Sequence, residues 1–575
     1  MGTNIPMGAN SIIVKEYLES LKEDKELDYL FPLLLSMMGF DVITTAKESK
    51  GQSQYGKDVV AIGKDESGKE WRYYFQIKAG SAKDINDTTF NEQNGIRSSL
   101  LQAKDTPLDD STRTDFSSLP VKIVLVHPGV LKENFRPTFE GFIQREFKAE
   151  EFEHWHIYKL ISLFEDYLFN ECLLIDNESY KLFKRLLVLL DAPGNDFKDI
   201  HLLLDHLIQN HAATSGRKFQ KLFASFYLIG AVVFQFSKES GNLHSARECL
   251  TVLILKVWSW ILSQKLETDK IALQEFRKLL KLHYDTLDEY FKRTFSIAAS
   301  ENGLFAERSA FYETIGYPLR SFEYLGYLLY YFEAMPYSFD FERGVDESAL
   351  AKIRHEQKER LISLISSNDG CSRPVVDYHS ISIAMLFLFF VKDKIAESHL
   401  NFIATYLVGV FQNILLIKSV RNRYPMIGNN LKILAEYSAE GEKPSEYVDD
   451  ASILIPTLFE LITILGWEKG FNLFKDKFDK SLSMQIPHPV TSNVDFEQKI
   501  FEGHQHNAYY VETLTKGIPQ VFSEFKEKII TQSGEEIKFR TDAAGFPYLR
   551  LLAHFYYKNE LPPFEWRKYL KVNEA

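Results

Sequence analysis

Three side chains of different chemistry fall at Asp58, Gln76 and Lys78, the last two in the tripeptide Gln76-Ile77-Lys78. One carboxylate, one amide oxygen and one ammonium, brought within a few ångströms, suit metal-assisted phosphodiester hydrolysis. Magnesium is a hard cation that accepts oxygen ligands, keeps several waters and takes only one or two carboxylates from a protein. Asp58 would anchor such an ion, the Gln76 side-chain oxygen would be a second ligand and the Ile77 carbonyl a third, with Mn2+ as a substitute for Mg2+. Lys78 would orient or deprotonate the attacking water, or neutralise charge on a phosphorane-like transition state.

The elements that must bring these residues together are two β-rich runs, Val59–Ile62 and Trp71–Ile77. They flank a turn of Gly63, Lys64, Asp65, Glu66, Ser67 and Gly68, the signature of a hairpin. Side chains alternate across a strand, so Arg72, Tyr74, Gln76 and Lys78 share one face, while Trp71, Tyr73, Phe75 and Ile77 take the other, which suits a core. A hairpin closing around Ser67 and Gly68 puts Asp58 opposite Gln76. The same turn nearly matches a phosphate-binding loop, with Gly63, Gly68 and Lys69 in place. Glu70 stands where that loop needs a hydroxyl, however, and a strand follows where it needs a helix.

The spacing Gly56-x-Asp58, hairpin, Gln76-x-Lys78 resembles the restriction-endonuclease-like PD-(D/E)xK superfamily, and within it the Mrr-like branch. Leu27-Asp28 through Gly39-Phe40 is similar to that branch's first helix, which ends in Gly and an aromatic residue; Asp28 matches an acidic position near its start. Val121–Val126 reads as a buried strand, and the segment from His156 as a closing strand and helix. The likeness covers about the first 170 residues. It implies an α/β domain, a mixed sheet with flanking helices, and a magnesium-dependent endonuclease acting on DNA in bacterial restriction or anti-phage defence. Asp58, Gln76, Lys78 and Asp28 would be the catalytic set. Glutamine replaces the family's commoner glutamate, which removes one negative charge at the metal. A non-catalytic scaffold with a decayed nuclease fold, binding nucleic acid or protein, and an RNA nuclease are the competing readings.

A chain of 575 residues exceeds one ordinary domain. The expected division is a nuclease domain over 1–170, a helical recognition or assembly domain over 171–440 and a C-terminal helical region over 441–575, so that an all-α remainder follows the α/β part. Beyond about residue 170 the apolar period becomes three and four. Helices are expected over 218–237, 245–266, 271–284, 308–334, 347–366, 380–391, 398–418, 451–467 and 509–530, with a loop over 438–450. Nearer the site, 91–104 reads as a helix on which Asn94, Arg97, Ser98 and Gln102 either face a phosphate backbone or form a solvated face. Glu48, in a loop over 46–55, reads as solvated.

The first 170 residues hold 20 Lys plus Arg against 27 Asp plus Glu. A domain that binds DNA unaided usually shows a basic face. Either the acidic patches lie away from the cleft, or the module binds poorly until a protein partner, or self-assembly through the helical region, brings it to nucleic acid. Three scattered cysteines, Cys172, Cys249 and Cys371, suggest neither a disulfide framework nor a zinc cluster, and a reducing cytoplasm fits. The opening Met-Gly-Thr-Asn-Ile-Pro lacks the pattern of a signal peptide. The apolar runs 223–236 and 381–391 are shorter than the ~20 residues a bilayer span requires, so no membrane association is expected. His201, His206 and His211 step by about 140° around a helix and do not share a face. His488, His504 and His506 read as a surface loop group rather than a zinc site, and Lys418, Arg421 and Arg423 as either a solvated helix end or a contact for phosphate.

Overall fold

In a computed structural model of the chain, the Asp65 carboxylate organises the hairpin turn: it accepts from Ser67 N at 2.9 Å, Lys69 N at 3.1 Å and Trp71 Nε1 at 2.8 Å. From that turn run β2 (Val59–Lys64) and β3 (Glu70–Ile77), antiparallel, with Val59 opposite Phe75 and Lys64 opposite Glu70. β1 (Asp41–Thr45) pairs antiparallel outside β2; β4 (Val121–Val126) and β5 (Phe152–Trp155) add in parallel beyond β3. The strand order is therefore β1-β2-β3-β4-β5. The structure describes residues 14–15, 18–19 and 27–570, apart from 46–55, 66, 81–82, 94, 107, 109–115, 168–176, 193, 212–216, 306–311, 339–346, 393–395, 491–494, 504–508, 515–516 and 533–536.

Parallel neighbours need crossovers, and these supply the cover for one face. Helices α2 (Asp87–Asn91) and α3 (Ile96–Asp105) lie between β3 and β4, and α4 (Arg136–Glu146) between β4 and β5. Their Phe90, Ile96, Leu100, Phe139 and Phe142 pack on Val60, Ile62, Tyr74, Ile123 and Leu125. On the opposite face, Phe31 of α1 (Asp28–Met37) meets Phe75 at 5.1 Å and Trp155 at 6.0 Å between ring centroids. Helix α1 ends at Gly39, whose φ of 89° lets the chain reverse so that the Phe40 ring lies 4.9 Å from Tyr73. Helix α5 (Ile157–Tyr167) follows β5.

Two expectations change here. Both faces of β3 are core: Arg72, Tyr74 and Gln76 are as buried as Trp71, Tyr73 and Phe75. Arg72 is tolerated because its guanidinium donates to the carbonyls of Leu119 (2.9 Å), Leu108 (3.3 Å) and Ser117 (3.4 Å), and lies 5.1 Å over the Phe116 ring. The helix expected over 91–104 starts only at Ile96, because Gly95 holds an extended conformation as N-cap of α3, and a separate short helix, α2, ends at Asn91. Arg97 and Gln102 are exposed on α3, Ser98 is half-buried, and Asn94 lies outside the described residues. So do Glu48, His504 and His506.

The chain divides into two compact units, Met1–Cys249 and Leu250–Ala575. In the first, helices Asn177–Leu189, Lys198–His211 and Arg217–Glu239 follow the sheet. The second is built mainly of helices, including Lys270–Ala298, Tyr317–Ser338, Glu347–Ser367, His379–Val391, Glu397–Arg421 and Leu454–Ile464. It is not all-α. A three-stranded sheet joins β6 (Ala451–Ser452), β7 (Ser483–Pro489) and β8 (Tyr509–Leu514), so 509–514 is a strand where a helix was expected. Pro487 and Pro489 disguise β7 in the sequence; they fall beyond the two residues that pair with β6, on a stretch that among the described residues pairs with β8 alone. Among the described residues one helix, Glu397–Arg421, is long and apolar enough to cross a membrane; its Ile403, Leu407, Val410, Phe411 and Ile414 are buried within the unit.

Candidate active site at the ends of β2, β3 and β4

The residue pair read from the hairpin meets as expected. Asp58 precedes β2 and its amide donates to Phe75 O at 2.8 Å, which extends the ladder by one step and places it beside Gln76. Gly56 makes this entry possible. Its φ is 74°, and a Cβ there would lie 2.0 Å from Ser99 O of α3, so any side chain would push the Asp58 turn off the helix. Lys57 between them is buried, donates to Thr106 O at 2.5 Å and lies 5.1 Å over the Tyr74 ring. Burial lowers its ammonium to about 8.

Asp58 Oδ2 accepts two short hydrogen bonds, 2.6 Å from Gln76 Nε2 and 2.6 Å from Ile77 N. The carboxylate can only accept, so it fixes which end of the Gln76 amide is nitrogen. Gln76 Nε2 also lies 3.4 Å from Ile77 O. Gln76 is 3% exposed, and its Oε1 has no hydrogen-bond partner among the described residues. A buried amide oxygen without a donor costs about 1–3 kcal/mol, and here it sits at a strand end beside a carboxylate. Lys78 follows, half-buried, with its amide bonded to Val126 O at 2.9 Å. Thus Asp58, Gln76 and Ile77 are joined by hydrogen bonds, and Lys78 follows two residues after Gln76 along the same chain. Asp28 opens α1 on the helix that covers the other face; its side chain lies outside the described residues.

By type the oxygen donors suit a hard divalent cation, an anionic carboxylate, an orphaned amide oxygen and a main-chain carbonyl, although the Gln76 nitrogen is the end of the amide that faces Asp58 Oδ2 and Ile77 O. A glutamate at 76 would set two carboxylates against each other, whereas the amide donates to Asp58.

The sequence reading passed over three histidines at the same edge of the sheet. The register puts Gln76, Leu125 and His154 side by side, and His127 and His156 follow two residues after the last two. His127 Nδ1 faces Lys83 O at 2.7 Å, so it carries the proton, and His127 Nε2 accepts from His154 Nε2 at 2.6 Å. Their rings stack at 4.9 Å, and His156 meets His154 edge-on at 5.5 Å. Burial drives His127 down to about 4 and His154 to about 3, so both are neutral at pH 7. His154 and His156 line a cavity of about 570 Å³ with Arg136, Phe139, Glu140 and Tyr158. The signal was available in the sequence, since His127 directly follows the apolar run Val121–Val126 and His154 and His156 share a strand parity.

The other groups singled out in the sequence find structural partners. Lys418 pairs with Asp479 at 3.2 Å, buried Arg423 donates to Ser438 Oγ at 2.7 Å, and His488 meets Glu512 at 3.0 Å. Comparison of the chain with protein-family models, curated proteins and solved structures returned no match.

Proposed function

We propose that the Asp58–Gln76–Lys78 cluster is the active site of a metal-dependent phosphodiester hydrolase, an endonuclease of the restriction-endonuclease-like type acting on DNA. The observation that carries this reading is the Gln76 amide: its nitrogen donates to Asp58, and its buried oxygen is left without a donor at the end of the strand. Asp58, Gln76 Oε1 and the Ile77 carbonyl would hold Mg2+ or Mn2+. Such an ion supplies Lewis acidity toward a phosphodiester oxygen and favours ionisation of water. The chain's own groups do the rest. The Ile77 amide fixes Asp58, Asp58 fixes the orientation of the Gln76 amide, and the Lys78 ammonium stabilises negative charge as it develops on the phosphoryl group.

The excess of acidic residues over the first 170 positions argues that the site meets nucleic acid weakly by itself, since phosphate neutralisation supplies most non-specific affinity. Assembly through the helices, or a partner protein, would raise the effective concentration; a role in defence against foreign DNA belongs to this proposal. The test is incubation of the full chain with supercoiled plasmid, linear DNA and RNA, in Mg2+, Mn2+ or EDTA. Cleavage of DNA that requires the metal is expected. Cleavage of RNA alone would move the substrate, and no metal-dependent cleavage of any substrate across a range of protein concentrations would overturn the reading.

A further inference from the structure

The second unit holds a set of side chains that no catalytic argument uses. His355 and Glu359 stand four residues apart on the helix Glu347–Ser367, a spacing that puts both on one face. Against them lies His399, the third residue of the helix Glu397–Arg421. One ligand atom from each of the three lies within 4.8 Å of the other two. The His399 ring is buried and fixed edge-on by Phe390 at 5.7 Å; the His355 ring lies 5.3 Å from it. His355 and Glu359 are exposed, which leaves one side of the group open to water.

The pair at its centre is His399 Nε2 and Glu359 Oε1, 2.9 Å apart. A neutral imidazole can meet a carboxylate that closely only by donating its Nε2 proton. A divalent ion takes the same place between the same two atoms once that proton leaves, and His355 then supplies a third ligand. Two imidazole nitrogens and one carboxylate with a fourth position open is a donor set suited to zinc rather than magnesium, because imidazole favours borderline transition ions. The contrast with His201 and His206 is instructive: their five-residue step separates them around one helix, whereas a four-residue step plus a second helix brings donors together.

We propose that His355, Glu359 and His399 form a binding site for a divalent transition ion, zinc first, which ties the start of helix Glu397–Arg421 to helix Glu347–Ser367. The reading is independent of the nuclease assignment. The test uses Co2+ and Zn2+ on the full chain carrying Asp58→Ala, so that the oxygen site in the sheet does not contribute. The expected result is one Co2+ per chain with the visible absorption of a nitrogen-ligated ion of low coordination number, displaced by Zn2+, and a melting temperature raised by Zn2+. His355→Ala and Glu359→Ala, each at an exposed position, should fold as the parent does and weaken binding by at least about tenfold. Absence of Co2+ binding, or binding that either variant leaves unchanged, overturns the assignment and reduces the group to a histidine–glutamate hydrogen bond.

Discussion

Asp58 in the first unit and Glu460 in the second are both held by short hydrogen bonds, but by different kinds of donor. Glu460 is 1% exposed and takes Trp566 Nε1 at 2.8 Å, Arg567 Nε at 2.9 Å and Arg567 Nη2 at 2.5 Å. A guanidinium fork cancels the carboxylate charge and consumes its lone pairs. The nearby Arg550 is treated alike, between Asp542 and Glu565. Asp58 accepts from two neutral amides, and the next acceptor along, Gln76 Oε1, has no donor among the described residues. Orphaned atoms also occur in the second unit, Trp258 Nε1 and Asn559 Oδ1 among them. An orphan alone therefore marks nothing; the proposed cation site rests on an orphaned oxygen beside a carboxylate at adjacent strand ends.

The comparison breaks most visibly in activity. Asp58→Asn and Lys78→Ala should each lower cleavage by at least about 100-fold, while the melting curve of the first unit moves little. Glu460→Gln should leave cleavage per folded molecule unchanged. Steady-state cleavage of plasmid, normalised to folded protein, reads both; undiminished cutting by the Lys78 variant would remove the cluster from the chemistry.

Stability should respond in the reverse order. Glu460→Ala strands Arg567 in the interior and should cost about 3–5 kcal/mol. Asp58→Asn keeps an acceptor for Ile77 N and should cost about 1 kcal/mol. Urea unfolding of the three proteins gives the ranking, and equal losses would erase the distinction between the two carboxylates.

Gln76→Glu sharpens the point. Without metal the new carboxylate faces Asp58 and should destabilise the first unit; with Mg2+ the added charge becomes a ligand. The rise in melting temperature on adding Mg2+ should therefore be larger for this variant than for the parent. An equal rise would mean that position 76 does not face the ion.

The smallest expected difference is in pH dependence. His127 and His154 fall from the ordinary 6.5 to about 4 and about 3 through burial. Depressed histidines contribute stability that is present above 6.5 and lost as pH drops through the folded values. In the second unit, burial raises Glu560 from 4.5 to about 7 and Asp377 from 3.8 to about 6. Those carboxyls contribute in the opposite sense, present at low pH and lost as pH rises toward 7, and they partly offset buried His283, His379 and His554 there. Calorimetry from pH 7 to pH 5 should lower the first unit's transition more than the second's; parallel shifts would contradict these assignments.

Much of the site was legible because a hairpin is local. A turn around Ser67 fixes Asp58 against Gln76 by counting, and the apolar run Val121–Val126 reads as a buried strand. What escaped was set by partners far along the chain. Arg72 reads as part of the strand face opposite the core, and only three carbonyls from 108–119 closing on its guanidinium bury it. The histidine pair needs β4 and β5 side by side, and Tyr509–Leu514 becomes a strand only against Ser483–Pro489. His355 and Glu359 show their helical spacing in the sequence, yet His399, forty residues on, completes the group only through packing.

The most direct test of the central claim is calorimetric titration of Mn2+ into the parent, Gln76→Leu and Asp58→Asn proteins, all carrying His355→Ala to silence the second site. One ion per chain is expected in the parent, weakened by at least about tenfold in both variants. Binding that neither substitution changes would contradict the account, because the orphaned Gln76 oxygen and the carboxylate that orients it would then hold no metal.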